Sequence, residues 1–114
     1  MMKIYHNPRC SKSRQTLAII EKKTSNFEIV RYLEDPLKFN DIKVLLIKLN
    51  IKPIKIVRTK ETIWREKFKG KEINDNEIIN ILAENPKLME RPIVETKEKA
   101  IIGRPPENVL ELFN

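Results

Sequence analysis

The sequence predicts an α/β (α+β) fold, a mixed four-stranded sheet flanked by helices. Its elements run strand–helix–strand, then a helical insertion, then strand–strand–helix. Three observations predict it. Short runs with strand-like alternation occur only toward the two ends of the chain. Between them, apolar residues recur at helical spacing. Prolines close these helical segments at Pro53 and Pro86 and break the chain again at Pro105-Pro106.

Taken in order, Lys3-Ile4-Tyr5 reads as a short first strand, and Ser11 to about Lys23 as a helix. Phe27-Glu28-Ile29-Val30-Arg31-Tyr32 alternates like a second strand. A strand, a helix and a strand at such close spacing predict a right-handed βαβ unit. Phe39, Ile42, Leu45, Leu46 and Leu49 then repeat at helical spacing, closed by Asn50 and Pro53. Glu61 to Lys67 reads as a shorter helix, with Trp64 and Phe68 as core anchors rather than a stacking platform. Asn74 with Glu77 resembles a capping box that opens a helix carrying Ile78, Ile79, Ile81 and Leu82 and stopping before Pro86. After Arg91-Pro92 the period changes to that of strands. Ile93-Val94-Glu95 and Ala100-Ile101-Ile102 form an antiparallel hairpin through Thr96-Lys97-Glu98-Lys99. Pro106 opens a final helix holding Val109, Leu110 and Phe113. This order is the thioredoxin-like arrangement with extra helices between its halves. The expectation is a single domain over residues 1–114 with the helical insertion at about 37–90.

Composition bounds the function classes. With 40% hydrophobic and 34% charged residues, the chain can form one modest core under a heavily charged surface. One cysteine excludes an internal disulfide. One cysteine and one histidine cannot build a structural zinc site, so no metal and no bound cofactor are expected. There is no signal-peptide stretch and no apolar run long enough to span a bilayer, so a cytoplasmic location without a membrane partner is expected. The net charge of +7 invites a nucleic-acid reading. Lys and Glu are interspersed, however, with few aromatics among the bases. That pattern fits a solvated surface, and no nucleic-acid partner is expected. The positive potential would still draw in a small oxyanion.

The chemistry concentrates in Tyr5-His6-Asn7-Pro8-Arg9-Cys10-Ser11-Lys12-Ser13-Arg14, which holds the only cysteine and the only histidine. A strand that turns at Pro8 into a helix puts Cys10 at the helix N-terminus, where unpaired N–H groups and the dipole favour an anion. Nearby cations lower a thiol pKa further, and the thiolate is the nucleophile. A lone cysteine also serves elsewhere as a small buried hydrophobe. The cationic neighbours and the proline turn point instead to a reactive thiol. His6 reads either as a participant or as a strand-end residue with a satisfied hydrogen bond. Arg91 and Arg104 each precede a proline, which biases their backbones to extended conformations. Arg58 follows the apolar stretch Ile56-Val57. Guanidinium forks suit tetrahedral oxyanions, although any one arginine can equally be a surface charge.

Four stretches carry a family resemblance: Tyr5-His6-Asn7-Pro8-x-Cys10-x-x-Ser13-Arg14, Arg31-Tyr32-Leu33-Glu34-Asp35-Pro36, Arg91-Pro92-Ile93-Val94 and Arg104-Pro105-x-Glu107. Together they resemble the glutaredoxin-dependent arsenate reductases, the ArsC family, from Ile4 to about Leu112. The resemblance implies that Cys10 is the nucleophile, that Arg58, Arg91 and Arg104 bind the oxyanion and its transition state, and that Ser13 and Arg14 support the site. It matches His6 to the histidine associated with lowering the cysteine pKa and Pro92 to a cis-proline beside the cysteine. It implies arsenate as substrate, glutathione as co-substrate and glutaredoxin as partner. The single thiol agrees, since a two-electron reduction then needs a second thiol from outside.

Two stretches depart from the family's usual wording: Cys10-Ser11-Lys12-Ser13-Arg14 in place of Cys-Gly-Thr-Ser-Arg, and Thr59-Lys60-Glu61 after Arg58. Both leave room for a glutathione-dependent reductase of another substrate. A phosphatase-like reductase would carry an arginine at the position of Thr16. An Spx-type regulator that binds RNA polymerase would sense oxidation through a second cysteine, at the position of Ser13.

Overall fold

Four short strands carry the alternation seen in the sequence. In the computed structural model, which describes residues 1–114, they are β1 (Met2–Tyr5), β2 (Phe27–Val30), β3 (Ile93–Glu95) and β4 (Ala100–Ile102). They form one sheet in the order β2-β1-β3-β4. β1 runs parallel to β2, with Ile4 opposite Ile29. It runs antiparallel to β3, with Ile4 opposite Val94, and β3 pairs antiparallel with β4. The sheet is therefore mixed, as the element order predicts.

The chain divides into two compact units, residues 1–35 with 91–114, and residues 36–90. The first holds the sheet, helix α1 (Ser11–Lys23) and a C-terminal 3-10 helix (Pro106–Phe113). Its core joins Met2 and Ile4 of β1, Ile20 of α1, Val94 of β3 and Val109, with Leu17, Phe27, Leu112 and Phe113 packed around them. Ile4 and Val94 are fully enclosed, a burial worth about 1.5–3 kcal/mol per side chain. Helix α1 spans the residues expected of it. Lys22 and Lys23 in its last turn complement the negative end of the dipole. β2 is two residues shorter than the alternation predicts. At Arg31 the chain turns, its carbonyl accepting from the N–H groups of Glu34 and Asp35, and Tyr32 is buried within that turn.

The final helix differs in type from the expectation. It is 3-10, with three residues per turn, so Pro106, Val109 and Leu112 fall on one face. Pro106 and Val109 are buried there and Leu112 is partly so, while Leu110 points to solvent at 38% exposure.

The second unit holds α2 (Phe39–Leu49), α3 (Thr62–Lys67) and α4 (Asp75–Glu84), with 3-10 turns at Pro53–Ile56 and Pro86–Leu88. Asn50 ends α2 in the left-handed conformation at φ 57, the usual helix stop. The Asn74–Glu77 capping box opens α4. The Glu77 N–H donates to Asn74 Oδ1 at 2.8 Å, and the Asn74 N–H donates to Glu77 Oε1 at 3.4 Å. α4 packs against α2 and both 3-10 turns. Trp64 is buried, its ring 5.4 Å from that of Phe68, which fits the anchoring role expected for it.

Candidate active site

The turn between β1 and α1 is built from its own polar groups. Asn7 accepts twice: its carbonyl from the Cys10 N–H at 3.0 Å, and its side-chain oxygen from the Arg9 N–H at 3.0 Å. Arg14 reaches back from α1 and donates through Nη1 to the Pro8 carbonyl at 2.9 Å. The Cys10 carbonyl accepts the first helical bond, from the Arg14 N–H, and Cys10 itself is the N-cap of α1 in an extended conformation. An N-cap side chain usually offers an oxygen to the N–H groups two and three residues on. Here a sulfur stands in that place. It closes no capping hydrogen bond of good geometry, but the main-chain N–H groups of Ser13 and Lys12 favour its anion.

Two arginines complete the electrostatics. Arg104, just after β4, donates through Nε to the Arg91 carbonyl at 2.7 Å and presents Nη2 to Cys10 Sγ at 3.4 Å. Burial pushes the Cys10 thiol up. The Ser13 N–H, the Arg91 guanidinium, the Lys12 N–H and the Arg104 guanidinium together outweigh burial, so the thiol lies below its ordinary value. The sulfur is thus buried, with two main-chain dipoles and two arginine cations all favouring its anion, the kind of environment that lowers a thiol pKa.

The Arg91–Pro92 and Arg104–Pro105 bonds are both cis. Cis Pro92 was expected and cis Pro105 was not. The Pro92 carbonyl accepts from the Gly103 N–H at 2.9 Å, which ties the two arginine-proline segments together. Gly103 lies so close to α1 that a Cβ added there would sit 2.6 Å from Thr16 Oγ1 and 2.9 Å from Pro92 Cγ.

His6 stands at the end of β1, buried, its main-chain N–H donating to the Val30 carbonyl at 2.9 Å. Its Nδ1 lies 2.6 Å from Ser13 Oγ, which also accepts from the Asn7 N–H at 3.0 Å. Burial holds His6 below its ordinary value of 6.5, and the charges of Arg31 and Arg14 act in the same direction against a weaker opposing effect of Glu21.

Of the residues singled out from the sequence, Cys10, Ser13, Arg14, His6, Arg91, Pro92 and Arg104 thus all lie in the first unit. Arg58 lies in the second. There its main-chain N–H donates to the Leu88 carbonyl at 2.7 Å, its Nη1 donates to the Lys87 carbonyl at 3.2 Å, and its Nη2 pairs with Glu61 at 3.5 Å. Sequence reasoning missed Thr16 and Gly103. Gly103 is one of only two glycines in the chain and directly precedes Arg104-Pro105, a signal of close backbone approach. No group of three His, Cys, Asp or Glu side chains is placed to hold a metal ion, and no helix is long and apolar enough to cross a membrane.

The chain as a whole has similar relatives. The chain is 43% identical to the uncharacterized protein YfgD of Escherichia coli, over 97% of this chain and 95% of that one. It is 40% identical to an arsenate reductase of Haemophilus influenzae, over 96% and 97% of the two chains. The solved structure of an arsenate reductase from Vibrio cholerae superposes with a TM-score of 0.91 at 40% identity, covering 96% of this chain and 95% of that one. These neighbours share the thioredoxin-like fold. The ArsC family profile matches residues 5–112, nearly the whole length of the sheet, the insertion and the cysteine turn, and the chain belongs to the ArsC family.

Proposed function

We propose that this protein reduces arsenate to arsenite, with Cys10 as the nucleophile, glutathione as the second thiol and glutaredoxin as the partner that restores the enzyme. The observation that carries the reading is the Cys10 sulfur at the N-terminus of α1 with Arg104 Nη2 at 3.4 Å. In the first step the thiolate attacks arsenic, a sulfur–arsenic bond forms, and a protonated oxygen leaves as water. Arsenic stays pentavalent. Arg91 and Arg104 offset the charge of the remaining oxygens, and donors already fixed in place need no reorganisation as that charge develops. Arg58 is assigned its part in oxyanion binding by the family resemblance alone.

In the second step the thiolate of glutathione attacks Cys10 Sγ. The sulfur–arsenic bond breaks with its electron pair passing to arsenic, which leaves as trivalent arsenite, and a Cys10–glutathione disulfide remains. Two thiols have supplied the two electrons. A glutaredoxin thiolate then attacks the glutathione sulfur and releases the Cys10 thiolate. The lowered pKa of Cys10 helps at both ends of the cycle, because a lower thiol pKa raises the ionised fraction for attack and makes the thiol a better leaving group from a disulfide.

The deciding experiment measures arsenite formed from arsenate with glutathione alone, with glutaredoxin alone, and with both. Turnover that needs both, and that vanishes in Cys10→Ser with the fold intact, is the expected result, because a hydroxyl is a far poorer nucleophile near neutral pH. Absence of turnover from folded wild-type protein supplied with both would overturn the reading.

A further inference from the structure

Ser13 Oγ is fully buried and has two neighbours, the Asn7 N–H at 3.0 Å and His6 Nδ1 at 2.6 Å. A hydroxyl carries one proton and can accept through its lone pairs. The Asn7 N–H is a donor and takes up acceptor capacity. The one side-chain acceptor within hydrogen-bond reach of the hydroxyl is the other neighbour, which points its proton at Nδ1 and leaves the ring proton on Nε2. An imidazolium would direct a second N–H at the same oxygen and leave the hydroxyl proton to find a new acceptor in the protein interior.

We propose that His6 serves this site as a neutral hydrogen-bond acceptor, holding the Ser13 hydroxyl and through it the first turn of α1, and not as a cation beside the sulfur. The surroundings agree. Burial disfavours the imidazolium, and Arg31, following β2, and Arg14, on α1, oppose it further, while Glu21, also on α1, favours it more weakly. The cations that act on Cys10 are Arg91 and Arg104. His6 bears on the sulfur through Ser13, whose main-chain N–H favours the thiolate. It is a positioning residue.

The inference rests on Cys10 being the nucleophile proposed above, and its test reads the thiol and the ring without using arsenate, so failure of the reductase reading is seen separately. In 15N spectra of the labelled wild-type protein near neutral pH, the His6 ring shows a proton on Nε2 and none on Nδ1. A doubly protonated ring, or a proton on Nδ1 alone, overturns the proposal. In parallel, iodoacetamide alkylation of Cys10 is followed at fixed pH 7. His6→Ala slows it by about fivefold, the factor set by one modest hydrogen bond. His6→Asn places an uncharged side-chain oxygen close to the position of Nδ1 and restores most of that rate. An asparagine variant as slow as the alanine variant overturns the proposal, because only a charge would then be missing from both.

Discussion

Gly103→Ala probes the contact that holds the arginine-proline segments against the cysteine helix. The added Cβ would lie 2.6 Å from Thr16 Oγ1, 2.9 Å from Pro92 Cγ and 3.1 Å from Thr16 Cγ2. Favourable carbon contacts begin at about 3.5 Å, so three atoms are overlapped at once. None of them yields easily. Thr16 is fully buried, with its hydroxyl bonded to the Lys12 carbonyl at 2.9 Å, and the Pro92 carbonyl is tied to the Gly103 N–H. The cost is steric, since the left-handed glycine of this chain is Gly70. Overpacking of this kind costs about 1–3 kcal/mol, which lowers Tm by roughly 5–15 °C in a protein of this size. Because Arg104 is the next residue, alkylation of Cys10 slows as well. Adding Thr16→Ala removes two of the three clashes and recovers part of the loss, a coupling that a double-mutant cycle in thermal melts resolves. A Gly103→Ala protein melting within about 1 °C of wild type would refute the close packing inferred at this glycine.

Arg104→Lys should lower arsenate turnover by roughly 10²-fold and recover little over Arg104→Ala, because a single ammonium cannot bond the Arg91 carbonyl and face the sulfur together. Steady-state rates on the two variants check this, and a lysine variant near wild-type activity contradicts it. The depressed His6 pKa sets a pH dependence of stability. Below 6.5 the unfolded chain takes up a proton that the folded protein refuses, so stability falls as pH drops from 6.5 toward the folded value. Urea melts at pH 8 and pH 5 should show a larger loss in wild type than in His6→Asn, and equal losses would contradict the assignment. Asn74→Ala removes the side-chain acceptor of the capping box on α4, leaving the Glu77 N–H without it, and should cost about 1 kcal/mol, read as a lowered urea midpoint with unchanged slope.

Local order was legible because its causes lie within a few residues of one another. Ser11–Lys23 and Phe39–Leu49 carry their periodicity in plain view, and Asn74 with Glu77 announces the start of α4. Cys10 could be placed at a helix N-terminus from Pro8 and the apolar run alone. The 3-10 character of Pro106–Phe113 was hidden, since spacings of three and of 3.6 are hard to tell apart over two turns.

The elements, their order and the residue types able to act on an oxyanion are all properties of neighbours along the chain, which is why they could be read from it. Packing, by contrast, brings Arg104 to Cys10, closes Ser13 on His6 and makes Gly103 leave room for Thr16. Two of those pairs join residues far apart in sequence, and the third depends on how a turn folds back on its strand. Their meeting follows from the strand order β2-β1-β3-β4, which sets β3 directly beside β1 and carries both arginine-proline segments to the cysteine turn. Such closure is a property of the packed sheet, where the hydrophobic core selects one register among many, and no local pattern encodes it.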